Sequence, residues 1–201
     1  VKKIKIAISG KANTGKDTLS KLLIKELGTE DDFYKTAFAD PMKKIIMDTF
    51  PSAEADCLWG PSEKRSSYIN NIEKINFNSD GLLEKNYLTY RESLLDLGKL
   101  GRYYDKDMWV LAAIFDAERQ DKNIIISDLR FKNELNHLKN RDFILIRLIR
   151  TNNEYQVDDI SDKDLDDVLD SEFNYTIIND SDFETFSNKI KELAAEIKEK
   201  Y

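Results

Sequence analysis

Cysteine and histidine each occur only once in this chain of 201 residues, as Cys57 and His137. A single cysteine excludes an internal disulfide, and with one histidine it cannot complete a structural zinc site. No apolar run approaches the ~18 residues that a membrane-spanning helix needs. The N-terminal Val1-Lys2-Lys3-Ile4-Lys5-Ile6-Ala7-Ile8 lacks the long apolar stretch and small-residue cleavage site of a secretory leader. A basic excess is missing too, because 31 Lys and Arg against 38 Asp and Glu leave a formal charge of −7. Binding to polymeric nucleic acid through its backbone is therefore not expected. No internal repeat is visible. These absences predict a cytoplasmic protein with neither a membrane nor a polynucleotide as partner.

What is present describes a globular protein. Hydrophobic residues make up 41% of the chain, with 9 Tyr and 10 Phe, enough apolar surface to offset the entropy of folding. The length suits one domain. Charge is unevenly spread: residues 1–150 hold 26 Lys and Arg against 23 Asp and Glu, whereas residues 151–201 hold 5 against 15. The acidity belongs to the last quarter, and the remainder can still hold a local anion site.

Strand and helix patterns alternate along most of the chain. The β-branched run Ile4–Ser9 ends at Gly10, and Leu19, Leu22, Leu23, Ile24 and Leu27 then recur at helical spacing up to Gly28. Tyr34–Ala39 reads as a second strand. Asp40-Pro41 starts a helix that runs to Phe50-Pro51. Residues 52–90 show little sustained periodicity and read as an insertion or subdomain, leaving a core of 1–51 and 91–201. Helices are expected over Arg91–Tyr104 and Asp107–Gln120, a strand at Asn123–Ser127, and a helix near Lys132–Lys139. Strands at Phe143–Ile149 and Tyr175–Asn179 precede a terminal helix near Asp182–Lys200. Near-continuous apolar strands separated by helices predict an α/β fold, a mainly parallel central sheet with helices on both faces. Ligands on such sheets bind beyond the carboxyl ends of the strands. Gly10, Asp40, Asp128, Arg150 and Asn179 all follow strand ends.

The first of these positions opens Gly10-Lys11-Ala12-Asn13-Thr14-Gly15-Lys16-Asp17-Thr18, with the spacing of a phosphate-binding loop. Glycines let the backbone aim its N–H groups at phosphate oxygens, the lysine adds a mobile cation, and a helix N-terminus adds its dipole. Asp17 stands where Ser or Thr usually touches Mg2+. It is either a metal ligand, directly or through water, or an acid at a helix start. Asp40, in Phe38-Ala39-Asp40-Pro41-Met42-Lys43, is either a helix cap or a contact to substrate sugar or base. Arg91 and Arg102 are eleven residues apart, close to three helical turns, and can project from one side as phosphate ligands or as a solvated face. Asp128 ends the strand of Ile124-Ile125-Ile126-Ser127-Asp128-Leu129-Arg130-Phe131-Lys132-Asn133-Glu134. It is either a carboxylate for Mg2+ or a cap. Arg130, two residues on, can reach a phosphate, and Asn133-Glu134 suits support of the loop by hydrogen bonding.

These blocks, in this order, resemble the phage-type deoxynucleoside monophosphate kinases of the P-loop nucleoside monophosphate kinase superfamily. The residues that carry the resemblance are the Gly10–Thr18 loop, Phe38–Lys43, Arg91 with Gly101-Arg102 and Trp109, Ser127–Glu134, and Ile177-Ile178-Asn179-Asp180 before the last helix. The resemblance implies a three-layer P-loop kinase sandwich and ATP- and Mg2+-dependent phosphorylation of a deoxynucleoside monophosphate. It implies ATP contacts from Gly10, Lys11, Ala12, Asn13, Thr14, Gly15, Lys16, Asp17, Thr18 and Asn179. The acceptor would meet Asp40, Lys43, Arg91, Arg102 and Arg130, with Asp17 and Asp128 at the metal. Lys16, Arg130 and Arg150 would act on the transferring group, and a phage-encoded enzyme would work in the host cytoplasm. Residues 150–174 occupy the place of the family's mobile lid, yet 151–174 hold no arginine and one lysine, Lys163. Arg150 then remains to close over the phosphate, Arg147 being open to an ion pair on the sheet. The 52–90 insertion is a candidate for base specificity or a homodimer contact. Two other readings stand beside this one: a kinase of another phosphorylated acceptor, since phosphomevalonate kinases carry a similar Gly-Lys-Asp loop, and a non-catalytic nucleotide-binding regulatory module.

Overall fold

A computed structural model describes residues 3–77, 81–151 and 164–201. The strands form where β-branched residues run together: β1 (Lys5–Ser9), β2 (Phe33–Thr36), β5 (Asn123–Leu129), β6 (Ile144–Ile149) and β7 (Tyr175–Ile178). They make one sheet in the order β2-β5-β1-β6-β7, and each pairing is parallel. The register places Ile6 beside both Ile125 and Ile144, Lys35 beside Ile125, and Leu148 beside Ile177. Parallel strands put all their carboxyl ends on one edge, so Gly10, Asp128, Arg150 and Asn179 share it.

Two compact units divide the chain. The first comprises residues 1–38 and 113–201 and contains the five-stranded sheet. On one sheet face, Ile6, Ile8, Ile125, Ile144, Ile146 and Ile177 meet Leu19, Leu23 and Ile24 of α1 (Lys16–Leu27). Phe186, Ile190, Leu193 and Ile197 from the terminal helix Phe183–Lys200 complete that cluster. Ile6, Ile8, Ile125 and Ile146 are fully buried, each contributing roughly 2 kcal/mol relative to exposure. The terminal helix starts cleanly because the Asp182 carboxylate accepts from Thr185 N at 2.9 Å. Strand alternation sends Lys5, Ala7, Tyr34, Ile124 and Ile126 to the opposite face. There Lys5 Nζ reaches Glu118 at 2.8 Å and Tyr34 Oη donates to Asp116 at 2.8 Å. Both acids lie in the last turns of α5 (Met108–Glu118), so helix covers this face as well, as a helix–sheet–helix layering requires.

The second unit spans residues 39–112. It holds α2 (Asp40–Thr49), the short α3 (Ala55–Trp59), strands β3 (Tyr68–Phe77) and β4 (Leu83–Thr89), and α4 (Tyr90–Tyr104). Its core is Ile46, Cys57, Leu58, Ile69 and Tyr90, with Phe50, Leu94 and Leu97 packed around them. The Tyr90 hydroxyl accepts from Glu54 N at 2.7 Å, and burial pushes its pKa up. Trp109 lies against α4 where Gly101 leaves it room: a Cβ there would stand 2.3 to 2.6 Å from indole atoms.

The structure differs from the sequence expectation at several element bounds and in the 52–90 stretch. Strand β2 ends at Thr36, not Ala39, because Phe38 N turns to the Asp128 carboxylate instead of a neighbouring strand. The 52–90 stretch, expected to be irregular, contains the antiparallel β3–β4 pair, with Tyr68 opposite Thr89 and Phe77 opposite Leu83. Of that insertion, residues 78–80 lie outside the described residues, as do 152–163 of the lid-like segment, including Lys163. Among the described residues no helix is long and apolar enough to cross a membrane.

Candidate functional site

Between β1 and α1 the chain makes a tight loop whose conformation follows from its sequence. Asn13 takes φ 58° and Gly15 φ 100°, left-handed values that asparagine tolerates and glycine adopts freely. A Cβ on Gly15 would also stand 2.9 Å from Asn179 Nδ2. Thr14, buried at 2% exposure, donates its hydroxyl to Lys11 O at 2.9 Å. Lys16 then folds back over the loop, and Nζ donates to Gly10 O at 2.5 Å and Lys11 O at 2.6 Å. Both of these acceptors are neutral carbonyls, and they lie at the N-terminus of α1. An anion arriving there would compete for the ammonium with charge-assisted bonds, which are roughly twice as strong.

The carboxyl ends of β6 and β7 close around the same loop. Asn179 Nδ2 donates to Thr14 O at 2.8 Å, and Arg150 Nη1 reaches Asn13 O at 3.4 Å. The backbone after Arg150 is pinned because the Asp180 carboxylate accepts from Thr151 N at 2.8 Å and Thr151 Oγ1 at 2.5 Å. Those two bonds hold the Asp180 pKa below its ordinary value. Arg147 does different work. It donates to Leu165 O and Val168 O at 2.8 Å, pairs with Asp170 at 2.6 Å, and stacks 4.3 Å from the Phe173 ring. Lys11 pairs with Asp166 at 2.9 Å and Lys132 with Asp167 at 2.7 Å. The acidic stretch 164–173 is therefore fastened by cations, one of them on the loop itself.

Asp128 accepts from Phe38 N with both oxygens at 3.1 Å, tying the chain after β2 to the end of β5. Six residues on, in α6 (Lys132–Lys139), Glu134 accepts from Arg130 N at 2.7 Å and Phe131 N at 2.9 Å through one oxygen. Glu134 is only 5% exposed. Burial and the Asp128 charge outweigh those two donors and push its pKa up to about 8. Asp17 is mostly exposed and pairs with Lys35 at 3.3 Å. Among the described residues no three His, Cys, Asp or Glu side chains gather as a metal site. Mg2+ does not require one, since it keeps several waters and binds through one or two carboxylates plus substrate phosphates.

No protein-family model matches this chain, and no curated protein matches it either. Its chemistry rests on the side chains themselves.

The residues expected at an acceptor lie, apart from Arg130, in the second unit. Asp40 Oδ1 accepts from Lys43 Nζ at 2.9 Å and from Trp59 Nε1 at 3.0 Å. Arg91 and Arg102 both project from α4, with Cα atoms ~16 Å apart along the helix. Arg91 Nη2 donates to Ser62 O at 3.2 Å. The Arg102 guanidinium lies back over Gly98, toward Arg91, its terminal nitrogens 3.2 Å from where a Cβ on Gly98 would be. The structure thus joins Gly10–Lys16, Arg150 and Asn179 by direct bonds, and Asp40 with Lys43. Neither Trp59 nor the burial of the Glu134 carboxyl is signalled by the sequence beyond one local feature for the former, a tryptophan directly before the turn residues Gly60-Pro61.

Proposed function

We propose that this chain is a phosphotransferase that moves the γ-phosphoryl group of ATP, with Mg2+, onto the 5′-phosphate of a deoxynucleoside monophosphate. The products are ADP and the deoxynucleoside diphosphate. The observation that carries the reading is the Gly10–Lys16 loop at the carboxyl edge of a parallel sheet, with Lys16 turned onto the loop carbonyls and Arg150 and Asn179 bonded to its backbone. The acceptor is already an ionised phosphate, so no strong base is needed, and catalysis is positioning plus stabilisation of charge. Lys16 would exchange its two carbonyls for β and γ oxygens, while the loop N–H groups hold the remaining oxygens. Arg150 would stabilise the transferring group, and Arg91, Arg102 and Arg130 would hold the acceptor phosphate. When bound, Mg2+ neutralises charge on the β and γ oxygens; Asp128 and Asp17 would hold it or its water shell.

An acceptor screen with ATP and Mg2+, following ADP release, tests the reading. At least one deoxynucleoside monophosphate should accelerate ADP formation well above the ATP-only rate. Failure of every one would refute it. A second reading, a nucleotide-binding regulatory module with negligible turnover, is favoured by one observation: Arg147 is committed to the acidic stretch 164–173. In that case ATP binds and no acceptor changes the rate.

A further inference from the structure

Trp59 ends α3 with 44% of its surface exposed. The chain's other tryptophan, Trp109, is 8% exposed and donates its indole N–H to Gly98 O at 3.3 Å. A half-exposed indole on a short helix would ordinarily sample several rotamers, but this one is held twice. Its N–H is bonded to Asp40 Oδ1 at 3.0 Å. The Lys43 ammonium, bonded to the same oxygen at 2.9 Å, stands 5.8 Å from the ring centroid. That is within reach of a cation–π attraction. Lys43 is 7% exposed, so its cation is fixed beneath one face of the ring. The exposure therefore falls on the other face and the ring edge. From Trp59 the chain leads directly through Gly60 and Pro61 to Ser62, whose carbonyl accepts from Arg91 at 3.2 Å. A preset aromatic face and a guanidinium suited to phosphate thus belong to one bonded segment.

We propose that Trp59 is the stacking platform for the base of the acceptor nucleotide, with Asp40 and Lys43 as the residues that position it. This rests on the phosphotransferase reading above. Stacking on an indole suits any nucleobase, because every base has a π-face. Trp59 then supplies affinity shared by purines and pyrimidines, and discrimination between them comes from hydrogen bonds elsewhere. Asp40 acts through the indole rather than through the sugar. Preorganisation matters here, since a ring already fixed loses little rotamer freedom when a base lands on it.

The test is steady-state kinetics of Trp59→Leu and Trp59→Phe with thymidine and deoxyguanosine monophosphates. It is joined by inhibition with the base-free analogue deoxyribose 5-phosphate. Trp59→Leu should raise KM for both nucleotides on the order of tenfold, the scale of losing one base–aromatic stack. The Ki of deoxyribose 5-phosphate and the KM for ATP should move less than twofold, and Trp59→Phe should recover most of the loss. In parallel, nucleotides should quench the wild-type indole emission, the base-free analogue should not, and Trp59→Leu should abolish the quench. Unchanged nucleotide KM in Trp59→Leu, or an equal rise for deoxyribose 5-phosphate, overturns the proposal. If the wild type turns over no nucleotide, the phosphotransferase reading falls instead. The fluorescence titration then decides alone, and absence of quenching by either nucleotide overturns the stacking role.

Discussion

Replacing Glu134 with glutamine should make the protein more stable, and more so as pH rises. Glu134 accepts two backbone N–H bonds through a single oxygen, an arrangement that the amide oxygen of glutamine reproduces. What the amide cannot do is ionise. The folded-state pKa is about 8 against an ordinary 4.5, mainly because the carboxyl is buried and secondarily because Asp128 repels its charge. Between those values the folded protein keeps a proton that the unfolded chain has released. The contribution of Glu134 to wild-type stability therefore falls with rising pH, by about 1.4 kcal/mol per unit, from pH 4.5 until the slope fades near pH 8. At pH 7, two and a half units above the unfolded value, this amounts to roughly 3 kcal/mol that Glu134→Gln does not lose. Because the side chain is 5% exposed, solvent screening removes little of it. Urea unfolding of both proteins at pH 5, 6, 7 and 8 should show near-equal stabilities at the first and a widening gap thereafter. A carboxyl carbon-13 titration of Glu134 gives the same midpoint directly. A constant gap across that range, or a carboxyl midpoint near 4.5, would refute the reasoning.

Other substitutions separate the remaining claims. Lys16→Ala should abolish turnover while circular dichroism stays native; retained activity would remove the loop from the mechanism. Arg102→Ala should raise KM for the acceptor more than KM for ATP, and equal changes in steady-state kinetics would count against its role. Gly101→Ala forces a methyl into the Trp109 indole and should cost about 1–3 kcal/mol in urea unfolding, the usual penalty of overpacking. An unaltered midpoint there would mean that the α4–Trp109 contact is not tight in solution.

The parts of the fold that were legible in the sequence are those whose signal is local. Ile6 and Ile8, the glycine loop and the leucines of α1 carry period, turn and cap information within two dozen residues, and the structure has them as read. The β3–β4 pair carries no such signal. Tyr68, Ile75, Leu83 and Tyr87 are all exposed, and burial is confined to Ile69, with Ile72 and Leu88 packed beside it, too few residues to impose a period of two along the pair. The ladder is also irregular between Tyr68 and Glu73, where Asn71 takes φ 64°. Asp40, a candidate cap from its place before Pro41, lies inside α2, and Ala39 is the N-cap. The position of Trp59 depends on Asp40, nineteen residues earlier, and on Lys43 below the ring. A partner chosen by tertiary contact leaves no pattern in its own neighbourhood. Glu134 was legible as support for the loop, but its raised pKa was not, because burial is a property of the finished fold.

Strand order has a further consequence, for the sequence of events by which the protein is made. Of the strands in this sheet β1 leaves the ribosome before the others, yet Ile6 finds its neighbours only at positions 125 and 144. The loop that follows β1 waits longer still, since Asn179 secures Thr14. Residues 39–112 face no such delay, because the contacts that define their unit lie within their own span. Local contacts form quickly and distant strand pairings slowly, so the middle of the chain can take shape while its beginning is still unpaired. The earliest motif in the sequence is thus among the last to be completed, and a chain cut short before β7 would carry every loop residue from Gly10 to Lys16 without the amide that holds them in place.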